Sequence, residues 1–227
     1  MALILNIDTS TESASIALAK DGALLNMAEN RQQKDHAGWI QEAIQKLMKD
    51  SGLPLSELSA IAVTNGPGSY TGLRVGLATA KGLCYGLNIP LITIGTLYVM
   101  ALSANKALNG LDLPTTTLLC PMIDARRREV FTALYNDQLN EIISPTAMIL
   151  NPSSFDKELD KHQILFFGNG SLKWKELCTN ANARFADLNW DSSSMILPSY
   201  HRFREKKFAD ISYSEPAYLK EFYIHHQ

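Results

Sequence analysis

Two stretches decide how this chain is read: residues 6–19, NIDTSTESASIALA, and residues 122–135, MIDARRREVFTALY. Laid with Asp8 on Asp124, they match at Ile7/Ile123, Ala17/Ala133 and Leu18/Leu134. The identities are few, and the shared order of apolar strand, aspartate, polar turn and second strand gives the match its weight. A unit of this kind used twice predicts a duplicated chain.

Working outward from the first stretch, residues 2–8 and 13–19 read as strands, and Asp21-Gly22 is a hairpin turn leading to a third strand at 24–29. Residues 35–51 carry Ala37, Ile40, Ala43, Ile44, Leu47 and Met48 at helical spacing, with Asp35 as N-cap and Gly52 as the stop. Strand, helix, strand and helix follow at 60–64, 69–87, 90–94 and 97–108. Such alternation predicts an α/β sheet with helices packed on it. After the turn-rich 109–114, the second half holds a helix at 151–161, opened by Asn151 and Pro152. A strand at 163–167 and the turn Gly168-Asn169-Gly170 then lead to a short helix ending at Trp174, with another helical segment at 200–208. The expected division is a first lobe over 1–109 and a reduced second lobe over 110–227, its tail packing back on the first.

Of the 227 residues, 46% are hydrophobic and 19% charged, enough for a sizeable core. A net charge of −2 excludes a broad positive field able to hold nucleic acid unaided, so RNA contact needs a local patch or a partner. Cys84, Cys120 and Cys178 are far apart and form no CxxC pair, which reads as buried free thiols in a reducing compartment. The opening MALILNIDTS is too short for a membrane span and lacks a basic leader, so a cytoplasmic protein without membrane contact is expected.

Residues 66–76, GPGSYTGLRVG, resemble a phosphate loop only at first sight. A Walker loop needs a lysine after its last glycine, and a dinucleotide fingerprint needs GxGxxG; neither spacing is met. Within the helix, Gly72, Gly76 and Ala80 recur at i, i+4 and i+8, with Thr79 and Leu83 beside them. Interior glycine costs about 1 kcal/mol against alanine, so two glycines one turn apart imply a close approach of another backbone, or packing against the chain's own sheet.

The polar turn Asp8-Thr9-Ser10 has the form that surrounds phosphates in actin-like phosphotransferases, or of a solvated hairpin. A working site of that type needs its second hairpin to offer aspartate followed by glycines, because backbone amides approach phosphate only where side chains are absent. Here the second hairpin reads Asp124-Ala125-Arg126-Arg127-Arg128. Three arginines obstruct such a loop, although guanidinium groups can grip a phosphate from the side or form a solvated cluster. His36 is followed one turn on by Ile40, so HxxxH is absent, and His162, His201, His225 and His226 lack metal-ligand spacing. No GxSxG elbow is present.

Taken together, LNIDTSTESASIAL, NGPGSYTGLRVGLATAKGL, MIDARRREVFTALY and the terminal EPAYLK resemble the TsaB family, also called YeaZ, of proteins required to form threonylcarbamoyladenosine (t6A) in tRNA. The resemblance implies an α/β ASKHA fold: a duplicated actin-like ATPase, ribonuclease H-like chain of two lobes with the second reduced. It further implies a non-catalytic subunit that binds the catalytic relative TsaD, with the small ATPase TsaE joining the pair. TsaD transfers the threonylcarbamoyl group to N6 of the adenosine beside the anticodon, in tRNAs reading A-starting codons. The implied partner surface is built from the first two long helices, with Trp39, Ile40, Ile44, Leu47, Gly72, Gly76, Thr79, Ala80 and Leu83 as its residues, some of which must face the chain's own sheet. On that reading Gly76→Leu leaves the chain folded and prevents association. A homodimer through the same face is expected when TsaD is absent, and tRNA is met through the complex. No intrinsic cofactor or metal is expected; Asp8, Thr9, Ser10, Gly168 and Gly170 form a vestigial nucleotide-binding set, with ATP or ADP held weakly or at the partner interface. The rivals are a stand-alone nucleotide-binding enzyme of the same fold and a glycoprotease-like metallopeptidase.

Overall fold

The structure is a computed structural model and describes residues 1–31, 35–108, 113–114 and 116–219. Most of the turn-rich 109–114, together with His225 and His226 of the terminal KEFYIHHQ, lies outside the described residues.

The chain divides into two compact units, the first made of Met1–Val99 with Trp190–Ala217 and the second built on Met100–Asn189. In the first, β1 (Leu3–Asp8), β2 (Ala14–Lys20) and β3 (Ala23–Asn30) form an antiparallel meander, followed by α1 (His36–Asp50), β4 (Ala60–Thr64), α2 (Tyr70–Leu87), β5 (Leu91–Ile94) and the start of α3 (Thr96–Ala107). The sheet order is β3-β2-β1-β4-β5, with β4 and β5 parallel to β1. Asp21 and Gly22 both take positive φ, as a two-residue hairpin requires.

The second unit repeats this order. After α3 come β6 (Leu118–Asp124), β7 (Glu129–Tyr135), β8 (Glu141–Ile149), α4 (Asp156–Leu159), β9 (Ile164–Phe167), α5 (Ser171–Lys175) and β10 (Ala183–Ala186). Its sheet runs β8-β7-β6-β9-β10, the same order in corresponding strands and with the same directions. The Asp8/Asp124 repeat therefore marks a duplicated α/β chain, one sheet topology used twice. Reduction of the second copy falls on its helices: α4 and α5 have 4 and 5 residues, where α1 and α2 have 15 and 18.

Both faces of the first sheet are covered. Leu5, Ile7, Ile16, Leu18, Ile61 and Val63 pack under Ile40, Ile44 and Leu47 of α1 and Leu77, Ala80 and Cys84 of α2. Ile4, Ala62, Ile92 and Ile94 pack on the other face with Val99, Met195, Tyr200 and Phe203, the last two from α6 (Ile196–Arg204). In the second unit Phe155, Phe166 and Trp174 stack edge to face within a core that includes Met122, Leu134 and Ile164. Burial pushes the Cys84 thiol up to about 11 and Cys120 up to about 12, so both stay protonated at neutral pH, while Cys178 is half-buried.

Three sequence expectations are corrected. The 151–161 helix shrinks to α4, because Asn151 accepts from the Ser153 amide and donates its own amide to Ser154 Oγ, a turn that competes with helix. Asp35 precedes α1 without a side-chain capping bond. The helix placed at 200–208 runs instead over Ile196–Arg204, and Ala209 then bonds the Leu91 carbonyl at the edge of β5.

Candidate functional site

The N-terminal end of α2 is where the glycine block meets the first hairpin. The loop from β4 passes through Gly66-Pro67, joined by a cis peptide bond, to Ser69, whose Oγ accepts from the Gly72 amide and caps the helix. The hairpin between β1 and β2 lies against this end. The Ser69 amide donates to the Ser10 carbonyl at 2.7 Å, and Thr9 Oγ1 donates to the Gly72 carbonyl at 2.7 Å. Asp8 is 4% exposed, and its Oδ1 accepts from the Ser10 amide, Ser10 Oγ and Thr64 Oγ1 at 2.7–3.0 Å. From the other side, His36 at the start of α1 places Nε2 at 2.9 Å from the Thr11 carbonyl oxygen. The hairpin is thereby bonded to β4, α1 and α2 at once.

This contact explains the glycines. A Cβ on Gly68 would overlap the Ser10 carbonyl, one on Gly72 the Thr9 carbonyl oxygen, and one on Gly76 Thr9 Oγ1. The stripe Gly72-Gly76-Ala80 clears space for the chain's own hairpin and sheet, which corrects its placement on a partner surface. Ile40, Ile44, Leu47, Gly72, Gly76 and Ala80 are all buried, since the sheet claims the apolar side of each helix. Trp39, Thr79 and Leu83 are half-buried. Gln41 of α1 bonds Thr79 of α2 at 3.3 Å, marking the outer seam between the two helices.

The other side of α2 carries a second row of small residues, Ala78, Gly82 and Gly86, flanked by exposed Thr71, Arg74 and Tyr85. A Cβ on Gly82 or Gly86 would meet nothing within 4 Å. This row was readable in the sequence: it lies six residues from the first along a 3.6-residue period, and its flanks are polar where those of the first row are Leu73 and Leu77.

The second hairpin repeats the backbone device of the first. The Arg126 amide donates to Asp124 Oδ1 at 2.6 Å, as the Ser10 amide does to Asp8. Lys173 Nζ lies 2.6 Å from the same oxygen and 3.2 Å from the Glu129 carbonyl. Partial burial pushes the Asp124 carboxyl up, but the Lys173 bond and charge and the Arg126 amide outweigh it, holding the group below its ordinary value. A carboxyl lowered in the folded state stabilises above its unfolded pKa, and that contribution is lost as pH falls through the folded value. Because the side chain is 42% exposed, Asp124→Asn should cost well under about 1 kcal/mol at neutral pH. The difference from the parent chain should begin to shrink near the ordinary carboxylate pKa of about 3.9 and vanish only below the lower folded value; urea melts across pH check it.

Gly168 and Gly170 serve spacing as well. A Cβ on Gly168 would overlap the Met122 carbonyl, and one on Gly170 would lie 2.9 Å from the Ile123 carbonyl carbon; Asn169 Oδ1 accepts from the Asp124 amide. Sequence reading missed the common pattern here: GPGS at 66–69 and GNGS at 168–171 join corresponding strands and helices. Of the nucleotide set, Asp8, Thr9 and Ser10 stand together in the first unit, and Gly168 and Gly170 in the second. Among the described residues no three His, Cys, Asp or Glu groups gather as a metal site, and no helix is long and apolar enough to cross a membrane.

A family model described as TsaD, tRNA N6-adenosine threonylcarbamoyltransferase, matches residues 24–213. The tRNA threonylcarbamoyladenosine biosynthesis protein TsaB of Escherichia coli is 31% identical over 224 residues, covering 96% of this chain and 94% of that protein. TsaB of Bacillus subtilis is 30% identical over 223 residues, covering 96% and 93%. Among solved structures, YeaZ from Pseudomonas aeruginosa superposes with a TM-score of 0.77 at 25% identity, covering 96% of this chain and 100% of that one. With the duplicated fold and near full-length identity in agreement, the chain belongs to the TsaB (YeaZ) family of t6A biosynthesis proteins.

Proposed function

We propose that this chain is a non-catalytic subunit for threonylcarbamoyl transfer to tRNA, acting by binding TsaD and supporting it together with TsaE. The observation that carries the reading is the filled first hairpin. Asp8 Oδ1 accepts from the Ser10 amide, Ser10 Oγ and Thr64 Oγ1, Thr9 is bonded to α2, and the Ser10 carbonyl is held by Ser69. Groups that would handle a phosphate or its metal in an active relative are here spent on holding a helix in place. ATP or ADP, on this reading, binds the chain weakly or where a partner completes the site.

The surface assigned to the partner is the outer seam of α1 and α2, with Trp39, Thr79 and Leu83 joined by Ala78, Gly82 and Tyr85. Small residues on an exposed helix allow a second helix to approach closely, which supports this choice. A homodimer through the same seam forms when TsaD is absent. Light scattering of the purified chain, alone and mixed with TsaD, tests the reading. It predicts a dimer alone and a species holding both proteins in the mixture; two independent species in the mixture would refute it.

A further inference from the structure

The two hairpins share an aspartate-closed turn but differ in what covers them. The first is roofed by α2, whose bare Gly72 seats Thr9. Counting from Ser69 and Ser171, the position of Gly72 is taken in the second unit by Trp174, which is turned fully into the core. The second hairpin is therefore left in solvent, with Arg126, Arg127 and Arg128 all exposed at its tip.

None of these arginines forms an ion pair with a described residue; the nearby acid Asp124 is taken by Lys173 and the Arg126 amide. Arg126 and Arg127 hold φ of 72° and 49°, and the turn is closed by the Glu129 amide on the Arg126 carbonyl. Left-handed conformation costs a non-glycine residue about 1–2 kcal/mol. Glycine or asparagine would serve positions 126 and 127 better, so what these arginines contribute lies in their side chains.

We propose that Arg126, Arg127 and Arg128 at the β6–β7 turn bind the phosphate backbone of RNA. Guanidinium forks match phosphate oxygens, and three adjacent ones on one hydrogen-bonded turn offer them a concentrated set of donors. An acidic protein surface is the less fitting partner. Protein interfaces have apolar cores, and the exposed apolar side chains here, Ile149 opposite Glu129 and Leu172 beside Lys173, stand singly. The inference rests on the chain's proposed place in a tRNA-modifying assembly, and it supplies the local basic patch that a net charge of −2 leaves necessary.

The test is filter binding of an unmodified tRNA transcript reading an A-starting codon to the chain assembled with TsaD and TsaE, over about 50 to 200 mM salt. The variant Arg126→Asn/Arg127→Asn/Arg128→Gln keeps residues suited to positive φ and removes the charge. It should weaken RNA binding by about tenfold or more and lower the salt slope by about two to three. Arg128→Gln alone, outside the left-handed positions, should lower the slope by about one, and the triple lysine variant should keep most of the affinity. Unchanged affinity and slope in both neutral variants, or no RNA binding by the parent assembly, overturns the proposal. So does loss of the variants from the assembly by light scattering, which would assign the turn to a protein partner. If t6A forms without the chain while the arginine variants still shift RNA affinity, the subunit reading fails and the RNA contact stands.

Discussion

Gly72→Ala should destabilise the chain by about 3 kcal/mol or more, and Gly76→Ala by about 1–3 kcal/mol, with Thr9→Ala rescuing only the second. At Gly72 the new methyl meets the Thr9 carbonyl oxygen, a backbone atom fixed by β1 and β2. No side-chain change removes it, so the end of α2 must move away and lose the bond from Thr9 Oγ1 and the one the Ser69 amide gives the Ser10 carbonyl. At Gly76 the obstacle is Thr9 Oγ1, which Thr9→Ala deletes. Thr9→Ala alone should cost about 1 kcal/mol for the lost hydrogen bond. Combined with Gly76→Ala, it should give a chain more stable than Gly76→Ala by itself, a coupling of about 1–2 kcal/mol. Urea denaturation of the four chains of this cycle measures it. Additive losses would show that Gly76 is not there to seat Thr9. Gly76→Leu should unfold the chain rather than merely separate it from a partner, which reverses the expectation drawn from the family resemblance.

On the solvent-exposed side of the same helix, Gly82→Arg should leave the chain folded and reduce t6A formation by tenfold or more, about 1.4 kcal/mol of lost association or beyond. Nothing within 4 Å of Gly82 opposes a side chain, and replacing an exposed interior glycine with a good helix former gains up to about 1 kcal/mol in helix propensity. The isolated variant should therefore melt at or above the temperature of the parent. A helix docked over Ala78, Gly82 and Tyr85 would be held off by the long cationic side chain. Gly82→Ala serves as the milder partner experiment, with higher stability and weaker association. A Gly82→Arg chain that associates with TsaD at parental affinity would move the docking surface elsewhere.

The contrast between these two glycines shows where sequence reading stopped. The first hundred residues were legible because strands such as β4 and β5 are short apolar runs, the helices have distinct stripes, and Asp21-Gly22 can hardly be anything but a left-handed turn. The repeat at Asp8 and Asp124 carried the duplicated architecture. Strand β8 was not legible: EIISPTAMI is a half-exposed edge strand containing Pro145, so it shows neither a full apolar run nor clean alternation. Strand β10, four residues long and half-exposed, gave no signal either. For the site, spacing showed that Gly72, Gly76 and Ala80 share a side, but not what lay against it. That depended on Thr9, brought there by the antiparallel pairing of β1 with β2 and the parallel pairing of β1 with β4.

Reconstitution of t6A on a tRNA transcript, read by mass spectrometry of the digested nucleosides, tests the central claim most directly. With TsaD, TsaE, ATP and threonylcarbamoyl-adenylate supplied, t6A should form only when this chain is present. The chain alone should modify no tRNA. Formation of t6A at the same rate and extent without the chain would contradict the account.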